Sequence, residues 1–171
     1  MLHSDMDTVC QIARESFTTP WTKAIFESEL SRDWARVRVL RSGKGERICG
    51  FINFWIIGDE IHLHNLAVLP DMRRRGYGRS LVLDMLEIAK NRSATTAFLE
   101  VRRSNQSAIN LYKSIGFISI AIRPQYYSDN QEDAIIMRSE IPSVNNDLAG
   151  SSDRYDCVDE IPSPKTSRSR I

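Results

Sequence analysis

Between Ala35 and Val68 the chain alternates apolar and polar residues and pauses only for tight turns, and this pattern constrains the fold more than any other feature. Ala35, Val37 and Val39 interleave with arginines, Ser42-Gly43-Lys44-Gly45 offers a turn, and Ile48 to Ile57 is an apolar run broken by Asn53. Gly58-Asp59 offers a second turn, after which Glu60 to Val68 alternates again. A period of two punctuated by glycine predicts strands. Strands joined by so few residues must be antiparallel neighbours. The run from Ile48 to Ile57 is about half the length that crosses a bilayer, so it reads as a buried strand.

Helical spacing flanks this meander. Met6, Val9, Cys10, Ala13 and Phe17 share a stripe after Ser4, a good N-cap. A second helix is expected from Thr22, with Trp21 before it and Phe26 inside it as a hydrophobic staple. Beyond Pro70, a helix carries Leu81, Val82, Met85, Leu86 and Ala89, and Thr96 to Val101 is a β run. Ser104 can cap a further helix with Ala108, Leu111, Tyr112 and Ile115, which Gly116 stops. Phe117 to Ile122 and Ala134 to Met137 read as the last strands, separated by a polar loop holding Tyr126 and Tyr127. Helices, a meander, then alternating strand and helix predict an α+β fold with a mixed sheet.

Composition narrows the function classes. The 171 residues carry a formal charge of +1, so the whole molecule has no electrostatic claim on nucleic acid or anionic membrane. Cys10, Cys49 and Cys157 are odd in number and far apart, which suits reduced thiols in a cytoplasm and no metal site. Met-Leu-His-Ser-Asp lacks the charged-then-apolar pattern of a signal peptide. From Ser143 to Ile171 the chain is Ser-rich, acidic then basic, and aperiodic. We therefore expect one domain over residues 1–142 and a disordered tail over 143–171.

The chemistry concentrates in Arg73-x-x-Gly76-x-Gly78-Arg79. A strand that leaves through such a loop into a helix offers free backbone N–H groups at the positive end of a helix dipole, and the glycines let a phosphate come close. Arg73, Arg74, Arg75 and Arg79 add countercharge, and a pyrophosphate cradle is expected. A dinucleotide fold fits poorly, because Leu81 stands where the third glycine belongs and the loop follows a meander. No Gly-Lys-Ser/Thr triplet supports a P-loop.

Leu66-Ala67-Val68-x-Pro70, Arg73-x-x-Gly76-x-Gly78, Leu99-Glu100-Val101 and Ser104-Asn105-x-x-Ala108-x-x-Leu111-Tyr112-x-x-x-Gly116-Phe117 together resemble the GNAT superfamily of acetyl-CoA-dependent N-acetyltransferases. Pro20-Trp21-Thr22, Glu100-Val101-Arg102, Arg123-x-x-Tyr126-Tyr127 and Glu132 to Met137 are similar to its bacterial members that acetylate the N-terminal alanine of a small-subunit ribosomal protein.

The resemblance implies a V-shaped opening between parallel strands Glu60–Val68 and Thr96–Val101. There Leu66, Ala67 and Val68 pair with the pantetheine arm of acetyl-CoA, and Arg74, Arg75, Gly76, Tyr77, Gly78 and Arg79 hold its pyrophosphate. Asn105 matches a cofactor-contacting position. Glu100 matches the general base, Tyr112 the proton donor to the coenzyme A sulfur, and Tyr126 and Tyr127 the wall of the acceptor groove. As a merely structural residue, Glu100 would reach solvent or an arginine such as Arg102, and Tyr112 would be a core tyrosine. His62 and His64 face one way on one strand, without an evident third metal ligand. An α-amine, with pKa about 8, is roughly a tenth neutral at pH 7, against under a thousandth of a lysine side chain, so an N-terminal acceptor asks less of the base.

Two departures stand out. Only Met1-Leu2-His3 precede Ser4, so the family's first edge strand is nearly missing or the start lies upstream, and Ser128 replaces a proline usual after the paired tyrosines. The expected activity is acetyl transfer to a protein N-terminal amine, with other N-termini, lysine or a small amine as alternative acceptors. A non-catalytic acyl-CoA-binding module is the alternative of another class. The oligomeric state stays open.

Overall fold

The computed structural model describes residues 1–43 and 47–142; the Lys44-Gly45 part of the expected turn, Cys157 and the stretch 143–171 lie outside them. Helices α1 (Met6–Ser16) and α2 (Lys23–Leu30) come first, followed by strands β1 (Ala35–Ser42), β2 (Arg47–Ile57) and β3 (Glu60–Val68). Then come α3 (Tyr77–Asn91), β4 (Thr96–Arg102), α4 (Gln106–Ile115), β5 (Ile118–Tyr127) and β6 (Glu132–Glu140). The strands form one six-stranded sheet in the order β1-β2-β3-β4-β6-β5. All neighbours are antiparallel except β3 and β4, which are parallel because α3 carries the chain back between them.

Local chemistry explains most element ends. Thr22 caps α2 by accepting from the Ile25 N–H, and the Trp21 and Phe26 rings meet 5.6 Å apart as the expected staple. Gly116 ends α4 in the left-handed region at φ 107°. Two expected caps are corrected. Ser4 lies inside a short 3-10 turn, and Asp5, whose carboxylate accepts from the Leu2 N–H at 2.8 Å, precedes α1. Asn105, not Ser104, caps α4, accepting from the Ala108 N–H at 3.1 Å. At the sheet edge the Met1 ammonium donates to the Val37 carbonyl of β1 at 3.2 Å.

The two sheet faces are covered unequally. On one, α3 and α4 bury Leu81, Val82, Met85 and Ile109 against Ile52, Phe54, Leu63, Leu99 and Met137, each large side chain contributing roughly 1.5–3 kcal/mol. On the other, α1 and α2 bury Val9, Ile12 and Phe26 against Val37, Phe51 and Ala67, all from β1 to β3. Along β4, burial alternates: Ala97, Leu99 and Val101 are buried, while Phe98, Glu100 and Arg102 are half-buried on the face that α1 and α2 leave open.

Candidate active site

The sheet opens in its middle. The β3–β4 ladder runs from Glu60 opposite Thr96 to Leu63 opposite Leu99 and pairs no further. On the other side of β3, Asn65 faces Asn53 and Leu63 faces Phe54, so His64 is an extra, bulged residue. A bulge bends its strand, and here it comes where β3 leaves β4. Beyond it, the Leu69 N–H bonds the Cys49 carbonyl at 2.8 Å. With Gly50 opposite Val68 and Ile52 opposite Leu66, antiparallel alternation turns the backbone groups of Leu66 and Val68 away from β2 into the gap. Those groups can take a strand-like ligand. Asn65 Nδ2, at the root of the gap, is buried with no hydrogen-bond partner among the described residues.

Gly50 makes this geometry possible. A Cβ there would sit 2.5 Å from the Ala67 carbonyl oxygen, so no side chain fits without moving the β3 backbone. An isolated glycine inside an apolar strand is the signal that points to it.

The gap leads to the N-terminus of α3. Arg73 Nε donates to the Val68 carbonyl at 3.0 Å and its Nη2 to Ser16 Oγ at 3.4 Å, tying the loop to β3 and α1. Arg74 (φ 63°) and Gly76 (φ 85°) both lie in the left-handed region, which turns the chain sharply into α3. The first-turn N–H groups at Tyr77, Gly78 and Arg79 point out of the helix start. A Cβ on Gly78 would meet Leu111 at 3.3 Å, so α3 and α4 approach closely there. Arg74, Arg75 and Arg79 are exposed around this N-terminus. The expected cofactor residues thus form one track: strand-like backbone, then a cationic, donor-rich helix end. That donor set fits a pantetheine amide chain followed by a pyrophosphate. Asn105 spends its carboxamide oxygen on the α4 cap and keeps its NH2 as a donor.

Glu100 stands on the open face just past the last β3–β4 pair. Its partner is an arginine, Arg123, whose Nη1 lies at 3.3 Å, and Arg102 is engaged elsewhere. Arg102 instead binds Asp129 at 2.8 Å and Glu132 at 3.2 Å and lies over the Tyr127 ring at 3.9 Å. Tyr112 is 6% exposed in the core under α4, 5.8 Å from the Phe117 ring. Burial holds its phenol well above the ordinary range, with Tyr127 adding a smaller push, so Tyr112 stays protonated and neutral through the neutral pH range.

Tyr126 and Tyr127 are not on a loop. They end β5, whose pairing is irregular between Arg123 and Tyr127, and the connection is only Ser128 to Gln131. Their rings meet edge to face at 5.1 Å, and Arg123 lies 4.9 Å from the Tyr126 ring, beside Glu100. Loss of water, against the pull of Arg102, pushes the Tyr127 phenol up to about 12. Towards β2 the open face continues as rings: His62 stacks on Phe98 at 5.5 Å, and His64 meets Trp55 at 4.2 Å and Trp21 at 6.3 Å. Desolvation holds the His64 imidazole below its usual range. His62 Nε2 is 2.9 Å from Glu60 Oε2. Among the described residues no group of three His, Cys, Asp or Glu could hold a metal ion, and no helix is long and apolar enough to cross a membrane.

The sequence model of the Acetyltransferase (GNAT) family matches residues 6–117. The [ribosomal protein bS18]-alanine N-acetyltransferase of Escherichia coli (strain K12) is 35% identical over 136 residues, covering 78% of this chain and 90% of that protein. A Bacillus subtilis (strain 168) protein provisionally assigned the same activity is 39% identical over 134 residues, covering 78% of this chain and 87% of its own length. Among solved structures, the Escherichia coli ribosomal-protein-S18-alanine N-acetyltransferase superposes with a TM-score of 0.76 at 32% identity, covering 88% of this chain and 96% of that one.

Proposed function

The chain belongs to the GNAT acetyltransferase family, and from that membership we propose that it transfers an acetyl group from acetyl-CoA to the N-terminal alanine of a small-subunit ribosomal protein, in the cytoplasm. The observation that carries the reading is the position of Glu100. It stands half-buried on the open face beside a gap whose far end is a cationic helix N-terminus.

Acetyl-CoA supplies an activated acyl group as a thioester. The Leu66 and Val68 backbone binds its extended arm, and the first turn of α3 with Arg74, Arg75 and Arg79 binds its phosphates. Glu100 accepts the proton of the acceptor ammonium, freeing the nitrogen lone pair to attack the carbonyl carbon. The Val68 N–H stabilises the carbonyl oxygen as negative charge develops on it. The new C–N bond forms, the C–S bond breaks with its electron pair on sulfur, the nitrogen releases its second proton to solvent, and the Tyr112 hydroxyl gives the sulfur a proton and recovers one from solvent. Tyr126 and Tyr127 wall the groove on the β5 side.

The test is incubation with acetyl-CoA and peptides beginning Ala, Met or Ser or carrying an internal Lys, read by intact mass. Modification of the Ala peptide at its α-amine is expected. Modification of lysine with none of any Ala-starting peptide overturns the reading. Acetyl-CoA, and not a nicotinamide dinucleotide, should raise the melting temperature.

A further inference from the structure

The proposed reaction leaves one proton to be replaced. Once its hydroxyl has protonated the departing sulfur, Tyr112 is a phenolate, and the next turnover needs it neutral again. Tyr112 is 6% exposed in the core cluster that holds Leu99, Ile109, Phe117 and Met137, so bulk water has little direct access to it. The replacement proton needs a carrier that meets solvent on one side and this core on the other.

The fold brings such a group towards Tyr112. Tyr112 is the seventh residue of α4, roughly 10 Å along the axis from the start of the helix. Helical side chains lean back towards the N-terminus, so its ring is directed to the end of α4 that Asn105 caps. That end is tied to the β5–β6 hairpin, because the Ser104 N–H donates to Glu132 Oε1 at 2.7 Å. Tyr127 closes β5 opposite Glu132 and is half-buried. Its ring is clamped: the Arg102 guanidinium lies 3.9 Å from the ring centre, and Asp129, at 2.9 and 2.8 Å, and Glu132, at 3.2 Å, hold that guanidinium in turn. A charge on Tyr127 is felt at the Tyr112 phenol. Tyr126 differs, being 42% exposed with its ring against Arg123 on the Glu100 side.

The geometry points to Tyr127 as the proton relay of Tyr112: its hydroxyl passes a proton to the Tyr112 phenolate and takes one back from solvent. This rests on the reading of Tyr112 as the donor to sulfur and adds the route by which that donor is reset. The Tyr127 O–H bond breaks as the Tyr112 O–H bond forms, the negative charge moves to the Tyr127 oxygen, and a solvent proton neutralises it. One proton thus enters for each thiol formed. The direction is favourable. Loss of water pushes the Tyr127 phenol up to about 12 against the pull of Arg102, while deeper burial raises Tyr112 the further of the two, so the proton moves to the stronger base. The Arg102 guanidinium, already against the ring, steadies the charge while Tyr127 carries it.

The experiment is rapid-quench acetylation of an Ala-starting peptide, followed from the first turnover into the steady state, on the unaltered chain, Tyr127→Phe and Tyr126→Phe. Phe at 127 keeps the ring against Arg102 and removes the hydroxyl alone, and melting temperatures and the acetyl-CoA Kd from calorimetry confirm an intact fold and cofactor site. In Tyr127→Phe the first turnover should run within about twofold of the unaltered rate, since Tyr112 starts protonated, and later turnovers should slow by at least about tenfold. Because the slowed step follows acetyl transfer, kcat should fall while kcat/KM for the peptide holds within about twofold. Imidazole, a small proton carrier, should raise the slow rate of Tyr127→Phe and leave the unaltered chain as it is. Tyr126→Phe should show no split between first and later turnovers. A groove wall or a folding role alone would slow the first turnover with the rest and lower kcat/KM. That outcome, an unchanged steady state, or a slow rate that imidazole does not raise overturns the relay while leaving N-terminal acetylation intact. If Tyr112→Phe turns over as fast as the unaltered chain, the donor reading itself fails and the relay with it.

Discussion

Arg123 Nη1 lies 3.3 Å from Glu100 Oε1 although β6 separates their strands, so the pair bridges over the open face of the sheet. Both side chains are partly exposed, and such a pair adds at most about 1 kcal/mol to stability. On the proposed reading its consequence is orientation: the guanidinium holds one carboxylate oxygen, and the other would face the acceptor amine. Glu100→Gln keeps the shape and removes the proposed base. We expect kcat to fall by about 10²- to 10⁴-fold while the acetyl-CoA Kd, measured by calorimetry, stays within about twofold. Arg123→Gln should lower kcat less and leave the melting temperature nearly unchanged.

Tyr112→Phe removes the proposed proton donor, a phenol that burial keeps neutral. Turnover should drop by at least about 100-fold with acetyl-CoA affinity kept, if thiolate departure needs that proton. The shift also has a stability sign. Above the ordinary tyrosine pKa of about 10, the unfolded chain loses protons that folded Tyr112 and Tyr127 retain, so stability falls as pH rises through the alkaline range. Each fully displaced proton contributes a slope of about 1.4 kcal/mol per pH unit. Denaturant melts between pH 9.5 and 11 should show a shallower decline in Tyr112→Phe, and equal slopes would exclude this linkage.

What the sequence made legible was local. The Thr22 cap, the Trp21–Phe26 staple and the Gly116 stop each involve residues within a turn of one another, so spacing alone reveals them. The Arg73–Gly78 loop was legible because glycine and arginine at that spacing have few other uses. What escaped was set by pairing between distant segments. A strict period of two puts His62 and His64 in equivalent places, and only the register against β2 shows His64 to be the bulge that parts β3 from β4. The tyrosines look like loop residues beyond Ile122, yet β5 is an edge strand, where the N–H that Pro124 lacks is not needed, and it continues through Gln125 at φ 51° to Tyr127. Arg102 is nearer to Glu100 in sequence than Arg123, but Asp129 and Glu132 claim it.

Gly50→Ala tests whether β3 geometry governs cofactor binding. The new Cβ would stand 2.5 Å from the Ala67 oxygen and 3.2 Å from Val68 Cγ2, so the backbone facing the gap must shift. Such overpacking costs roughly 1–3 kcal/mol. We expect a lower melting temperature and an acetyl-CoA Kd raised by about tenfold or more. Gly58→Ala is the control: at φ 60° with nothing within 4 Å, it strains only its own turn, by about 1–2 kcal/mol, and should leave acetyl-CoA affinity unchanged.

Glu132 joins the β5–β6 hairpin to the start of α4. Its carboxylate accepts from the Ser104 N–H at 2.7 Å, from Asn130 Nδ2 at 3.3 Å and from Arg102 at 3.2 Å. The bonds from Ser104 above all, then those from Asn130 and Arg102, pull its pKa down to about 2. A carboxylate with a lower pKa folded than unfolded stabilises fully above about pH 4.5, and that contribution fades as pH falls towards 2. Glu132→Gln should therefore melt below the unaltered chain at pH 7, with the gap narrowing between pH 4.5 and 2. The same hairpin carries Tyr126 and Tyr127, so at pH 7 the variant should also show a raised KM for an Ala-starting peptide, with the acetyl-CoA Kd held. A melting gap that stays constant down to pH 2 would exclude Glu132 as the acid-sensitive tie.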